Sequence, residues 1–109
     1  MKTMQASELA ALAQAGTAPL LLDVREPWEL ATARMQPAGT TLLHIPMREV
    51  PARLAEVPKA QPVVCICHHG ARSAQVVAFL MRQGHADVYN LVGGIDAWSA
   101  EVDALVPRY

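Results

Sequence analysis

Aromatic residues, net charge and long apolar runs are all scarce in this sequence of 109 residues. Aromatic residues make up only 5%, so the core must be built from leucine, valine, isoleucine, alanine and methionine. A net charge of -1 gives no electrostatic footprint for nucleic acid or for an anionic membrane surface. The hydrophobic fraction of 52% suffices for one core, which predicts a single domain over residues 1–109.

No apolar run approaches the length of about 18 residues that a membrane-spanning helix needs. The first segment, residues 1–16, also lacks the basic start and the continuous apolar stretch of a signal peptide. We therefore expect a cytoplasmic location and no membrane partner.

The sequence has only two cysteines, Cys65 and Cys67, and a single residue separates them. A disulfide between them would close a small, strained ring, and the chain offers neither of them another partner. We therefore expect free thiols in a reducing compartment. Cys65 lies within an apolar run, so core packing is the favoured interpretation, with a resolving thiol as the alternative.

Short apolar runs alternate with helical segments along the chain, and there are no internal repeats or linkers. Ser7 is expected to cap the first helix, which ends at Gly16, and Ser73 to cap another, which ends at Gly84. The other predicted elements are strands at 20–24, 40–45, 63–66 and 88–92, and helices at 27–34, from Pro51 to Pro58, and at 95–102.

This alternation predicts an α/β fold with a central, mainly parallel sheet and helices on both faces. Ligands of such sheets bind beyond the carboxyl ends of the strands. The segment 67–73, which leaves a strand and enters a helix, is therefore the first place to look for a site.

The chemistry of this segment centres on a cysteine at the start of a helix, where unpaired N–H groups favour negative charge. Gly70 permits the backbone curl that would turn successive N–H groups inward, and Arg72 adds a permanent positive charge. Both effects favour a nucleophilic thiolate at Cys67. The complete loop is Cys67, His68, His69, Gly70, Ala71, Arg72 and Ser73.

The pattern of Cys67, Gly70, Arg72 and Ser73 between a strand and a helix resembles the active-site loop of the rhodanese family. Further motifs of that family follow the same order over about residues 7–100. They are Asp23-Val24-Arg25-Glu26, His44-Ile45-Pro46 and residues 88–98, which contain Gly93, Gly94 and Trp98. The chain is thus similar to single-domain rhodaneses.

The resemblance implies a sulfurtransferase that works by double displacement. Cys67 would take a sulfane sulfur from a donor such as thiosulfate, form a persulfide, and pass the sulfur to cyanide, a thiol or an acceptor protein. The amides of residues 68–73 would hold the persulfide, and Arg72 would support the loop and an anionic substrate. Asp23 and Arg25 would buttress the site as a salt bridge, with substrate contact as the alternative. No metal or other cofactor is implied.

The sequence departs from the family pattern at two places, before the central strand and within the loop 67–73. Residues 35–41 replace the His-Ile-Pro-Gly-Ala that often precedes the central strand. His68 and His69 stand where many thiosulfate-using members carry arginine or lysine after the cysteine. Because histidine is partly charged near neutral pH, we expect pH-sensitive turnover, and the preferred donor stays open.

Two other functions compete with sulfur transfer. A phosphatase or arsenate reductase of related fold carries five residues between cysteine and arginine, whereas four separate Cys67 from Arg72. A non-catalytic binding module is the other alternative, although catalytically inactive relatives usually lack the cysteine that corresponds to Cys67. A zinc site at Cys65, Cys67, His68 and His69 is too cramped for the usual ligand spacing.

Overall fold

The computed structural model describes residues 1–109 and contains a five-stranded sheet covered by four helices and two 3-10 turns. The strands are β1 (Thr3–Met4), β2 (Leu20–Asp23), β3 (Leu42–His44), β4 (Val63–Ile66) and β5 (Val88–Leu91). The helices are α1 (Ala6–Gln14), α2 (Pro27–Thr32), α3 (Ala71–Arg82) and α4 (Gly94–Glu101). None of these helices has the length and apolar character required to cross a membrane.

The strand order in the sheet is β1-β5-β4-β2-β3, and every neighbouring pair is parallel. The prediction of an α/β fold with a mainly parallel sheet is therefore confirmed. β4 is the central strand, and all four of its residues are buried. Since every strand ends at the same edge, the loop after β4 emerges in the middle of that edge.

The sheet divides the hydrophobic core into two clusters of 12 buried residues each. Alternate residues of β4 point to opposite faces. Val64 and Ile66 therefore pack with Trp98 of α4, whereas Cys65 and Cys67 pack on the α3 side. This alternation directs Cys67 toward the start of α3.

Two predicted caps are wrong because the helices begin earlier than their serines. Ser7 lies inside α1, whose first turn is closed by a bond from Gln5 N to Glu8 Oε1 of 3.0 Å. Ser73 lies inside α3, and Gly70 is the N-cap with a φ of 111°. A residue with a side chain is strained at this φ, so the chain turns into the helix at the glycine.

The remaining differences concern element boundaries and short elements. The predicted helix from Pro51 to Pro58 is replaced by a turn and one 3-10 turn, Leu54–Glu56, and a further 3-10 turn, Met47–Glu49, precedes it. β3 covers only half of the predicted 40–45 strand, and the two-residue β1 was not predicted. β1 is too short to show a periodicity, and only its pairing with β5 makes it a strand.

Candidate active site

Three polar groups converge on the sulfur of Cys67, which lies between the carboxyl end of β4 and α3. The backbone N–H groups of Gly70 and Ser73 point at Sγ, at 3.1 and 3.4 Å. The hydroxyl oxygen of Ser73 lies 3.2 Å from the same sulfur. Of the amides in residues 68–73, these two form the hydrogen bonds to Sγ. The side chain is 1% exposed, so the sulfur lies in a small, polar and largely dry cradle.

The start of α4 holds the other side of the loop. Ile95 N–H donates to the carbonyl oxygen of Cys67 at 2.9 Å, and Asp96 N–H donates to that of His68 at 3.1 Å. Gly94 allows this close approach, because a Cβ at that position would collide with both carbonyl oxygens. The two helix N-termini thus meet at one loop. Gly94 belongs to the family motif in residues 88–98, but the motif did not predict this contact.

A series of hydrogen bonds between side chains extends from the sulfur to β5. Ser73 Oγ donates to Asn90 Oδ1 at 2.5 Å, and Asn90 Nδ2 donates to the carbonyl oxygen of Gly70 at 3.1 Å. Asn90 is not among the residues predicted from the sequence. The available signal was a polar residue in the otherwise apolar run 88–92, and the register places it beside Cys65.

Arg72 forms a bidentate ion pair with Glu29 of α2. Its Nη1 and Nη2 lie 2.7 and 2.8 Å from the two carboxylate oxygens. The hydrogen bond from Arg72 lowers the pKa of the buried Glu29 carboxyl to about 2. The positive charge that the sequence assigns to the loop is therefore compensated by a carboxylate 43 positions away, which sequence reasoning missed.

Asp23 and Arg25 form a second, completely buried ion pair at the carboxyl end of β2. Arg25 Nη2 and Asp23 Oδ2 are 2.8 Å apart, and a further bond of 3.0 Å joins Nε to Oδ1. Arg25 also donates to the carbonyl oxygens of Glu29 and Ala33. The pair ties β2 to α2 and so positions the carboxylate that holds Arg72.

Tyr109, the last residue of the sequence, lies against this network. Its hydroxyl accepts a hydrogen bond from Arg25 Nη1 and donates one to Glu29 Oε1, each at 2.9 Å. Its ring stacks on the imidazole of His68, with the ring centres 3.9 Å apart and the planes 5° apart. The tail therefore covers the His68 side of the loop. The sequence pattern gave no indication of this role.

His68, His69 and Asp96 are the three residues whose side-chain atoms could come together around a cation. Both carboxylate oxygens of Asp96 are already bound by Arg108 at 3.0 Å. The two imidazoles stack on each other with ring centres 3.9 Å apart. Because Arg108 already compensates the carboxylate and the imidazoles stack on each other, this donor set does not favour a metal.

Cys65 is completely buried in the α3-facing cluster. Burial, together with the neighbouring Cys67, raises the pKa of its thiol to about 12. At neutral pH this thiol is protonated and inaccessible, which fits a core residue.

Comparison with known sequences gives one family and several named relatives. The family described as Rhodanese-like domain matches residues 5–101. A sulfurtransferase of Allochromatium vinosum is 46% identical over 80 residues, which cover 73% of this chain and 71% of that protein. The thiosulfate sulfurtransferase GlpE of Coxiella burnetii is 36% identical over 58 residues, or 53% of this chain and 54% of that protein.

Solved structures share the same fold over nearly the whole chain. A rhodanese-like domain protein from Staphylococcus aureus superposes with a TM-score of 0.80 at 30% identity. The superposition covers 94% of this chain and 95% of that protein. The unit formed by β4, the loop with Cys67 and α3 therefore lies in the same fold as in that protein.

Proposed function

Because the chain belongs to the rhodanese-like family, we propose that it is a sulfurtransferase that carries sulfur as a persulfide on Cys67. The observation that carries this proposal is the convergence of three polar groups on Cys67 Sγ at the start of α3. The two N–H donors of this cradle, from Gly70 and Ser73, favour a negatively charged sulfur over a neutral one.

In the first step, the Cys67 thiolate attacks the outer, sulfane sulfur of a donor such as thiosulfate. A bond forms between Sγ and that sulfur, and the bond between the two sulfur atoms of thiosulfate breaks. The bonding electrons leave with sulfite, and the enzyme holds an anionic persulfide. The N–H groups of Gly70 and Ser73 already point at Sγ, where the negative charge of the attacking thiolate lies before the transfer.

In the second step, an acceptor attacks the outer sulfur of the persulfide. With cyanide, a carbon–sulfur bond forms, thiocyanate leaves and the Cys67 thiolate is regenerated. A thiol or a sulfur-acceptor protein would accept the same sulfur in the same way. Neither step requires a metal or organic cofactor, because a thiolate, cyanide or another thiol can attack the sulfane sulfur directly.

The loop argues against phosphoryl transfer, the competing chemistry of related folds. Four residues separate Cys67 from Arg72, so the ring of amides is small. Nη1 and Nη2 of Arg72 both pair with the carboxylate of Glu29, which compensates the positive charge that would otherwise attract a phosphate. A single anionic sulfur matches this cradle better.

Mass spectrometry of the intact protein after treatment with thiosulfate tests the proposal. We expect a gain of one sulfur atom that maps to Cys67 and is removed by dithiothreitol. Cys65→Ser is the matched control, because it removes the neighbouring thiol, and we expect it to retain the gain. Cys67→Ser should lose it.

Turnover of thiosulfate and cyanide to thiocyanate should follow the same pattern in the same variants. Activity that survives in Cys67→Ser but disappears in Cys65→Ser would contradict the assignment. A wild-type protein that binds no sulfur and forms no thiocyanate would support the non-catalytic module instead. Hydrolysis of phosphate esters would support the phosphatase.

A further inference from the structure

Asn90 is a buried polar residue on the face of β5 that packs against α3. It lies two residues after Val88, which belongs to the cluster with Val76 and Val77 of α3. The parallel register pairs it with Cys65, two residues before Cys67. The sheet therefore brings Asn90 to the first turn of α3, although no other polar residue of β5 faces this side.

The hydrogen bonds of Asn90 fix the orientation of its amide. Nδ2 donates to the carbonyl oxygen of Gly70, which turns Oδ1 toward the hydroxyl of Ser73. An amide oxygen only accepts, so the single hydroxyl hydrogen of Ser73 lies on the bond to Asn90. Ser73 Oγ then presents lone pairs to Cys67 Sγ, and in this state the sulfur is the donor, as a thiol.

A thiolate at Cys67 reverses this arrangement. It has no hydrogen to donate, and it needs the hydroxyl of Ser73 as a donor. Rotation of the hydroxyl about the Cβ–Oγ bond delivers the hydrogen to Sγ, and Asn90 Oδ1 then loses its partner. Two acceptors, the amide oxygen and the sulfur, thus compete for one hydrogen.

We propose that Asn90 is a positioning residue for Cys67, because it competes with the sulfur for the hydroxyl hydrogen of Ser73 and so opposes thiolate formation. The inference rests on the proposed function, in which the thiolate is the nucleophile. A hydrogen bond to an anion is about twice as strong as one between neutral groups, so the hydrogen passes to the sulfur once the charge is present. Asn90 opposes the negative charge through Ser73, whereas its bond to Gly70 orients its own amide.

Several other ionisable groups surround Cys67 and also bear on its charge. They are Cys65 on β4, His68 and His69 in the loop, Arg72 on α3, Glu29 on α2, Asp23 and Arg25 after β2, Asp96 on α4, and Tyr109. The variants below keep all of them except Cys65, which is replaced throughout. Their effects therefore cancel when variants are compared with each other.

The test measures the rate of alkylation by iodoacetamide against pH in the full chain carrying Cys65→Ser, so that Cys67 is the only thiol. Asn90→Leu keeps the size of the side chain and removes both polar groups. Ser73→Ala removes the shared hydroxyl, and the double variant removes both partners. Ser99→Ala, which removes another buried serine hydroxyl on α4, is the matched control.

We expect Asn90→Leu to lower the midpoint of the alkylation profile by about one pH unit, because the hydroxyl of Ser73 becomes available to the sulfur alone. Ser73→Ala should raise the midpoint by a similar amount. The double variant should have the midpoint of Ser73→Ala, since nothing remains for Asn90 to act through. Ser99→Ala should leave the midpoint unchanged.

A rise of the midpoint in Asn90→Leu would overturn the inference, because that is the result of a merely loosened loop. The inference would also be overturned if Asn90→Leu shifted the midpoint as much in the Ser73→Ala background as it does in the background with Ser73. If circular dichroism shows that Asn90→Leu does not fold, Asn90→Ala takes its place with the same expectations.

Alkylation requires neither a sulfur donor nor an acceptor, so this inference and the proposed function can fail separately. A protein that shows the expected midpoints but forms no persulfide contradicts sulfur transfer alone. A protein that forms the persulfide, with a midpoint that does not respond to Asn90, contradicts only the role of Asn90.

Discussion

Replacing Glu29 by glutamine removes the carboxylate that compensates Arg72 and keeps the size of the side chain. Glu29 is 3% exposed, and the hydrogen bond from Arg72 lowers the pKa of its carboxyl from 4.5 to about 2. Such a depression corresponds to about 3 kcal/mol of stability at neutral pH. Since about a third of the Arg72 side chain faces solvent, we expect a loss of about 2 kcal/mol in Glu29→Gln.

The pH dependence of this loss follows from the direction of the pKa change. A carboxyl whose pKa is depressed on folding contributes its full stability above its unfolded pKa, here 4.5. The contribution declines as the pH falls from 4.5 toward 2, because the unfolded chain takes up the proton first. The difference between wild type and Glu29→Gln should therefore be reduced by about half at pH 3 compared with pH 7.

Urea denaturation of both proteins at several values between pH 7 and pH 3, followed by circular dichroism, measures this difference. Other carboxyl groups titrate equally in both proteins, so their effects cancel. Glu49→Gln is a matched control, because its partner Arg53 is a surface residue that also pairs with Glu56. We expect this control to change stability by less than about 0.5 kcal/mol. A difference for Glu29→Gln that is constant over the whole pH range would refute the reasoning.

Two further predictions concern the supports of the loop. Gly94→Ala should destabilise the protein by about 3 kcal/mol or more in urea denaturation, because its Cβ would collide with the loop carbonyls as well as occupy a left-handed conformation. Gly39→Ala has the same kind of φ but open space around it, and should cost only about 1 kcal/mol; equal losses would show that the collision does not matter. Tyr109→Phe should lower stability by about 1 kcal/mol through loss of the hydroxyl bonds. Tyr109→Ala should in addition speed alkylation of Cys67 because the stack on His68 is lost, and an unchanged rate would show that the tail does not cover the loop.

Much of the fold could be predicted because its signals are local. The apolar run 63–66 has the length of a strand, and Gly84 marks the end of α3. The caps were less predictable, since the serines at 7 and 73 are good capping residues in isolation but lie two and three residues after the observed N-caps, Gln5 and Gly70. α3 instead begins directly after Gly70, whose backbone adopts the left-handed conformation.

The surroundings of the candidate site were predictable only in part. The loop motif drew attention to Cys67, and the motif after β2 drew attention to Asp23 and Arg25. Nothing in either motif indicated that Arg72 would pair with Glu29, or that Tyr109 would join the same network. Both depend on which element the sheet places opposite the loop.

The order of residues alone determined the alternation of strands and helices and the place of a cysteine between an apolar strand and a helix. These properties depend on neighbours within a few positions, whose conformational preferences a sequence displays directly. Only the tertiary structure decided which groups contact the sulfur and its loop, since Asn90 is 17 positions from Ser73, and Tyr109 is 80 from Glu29. Their meeting follows from parallel strand pairing, which brings distant segments to one edge of the sheet.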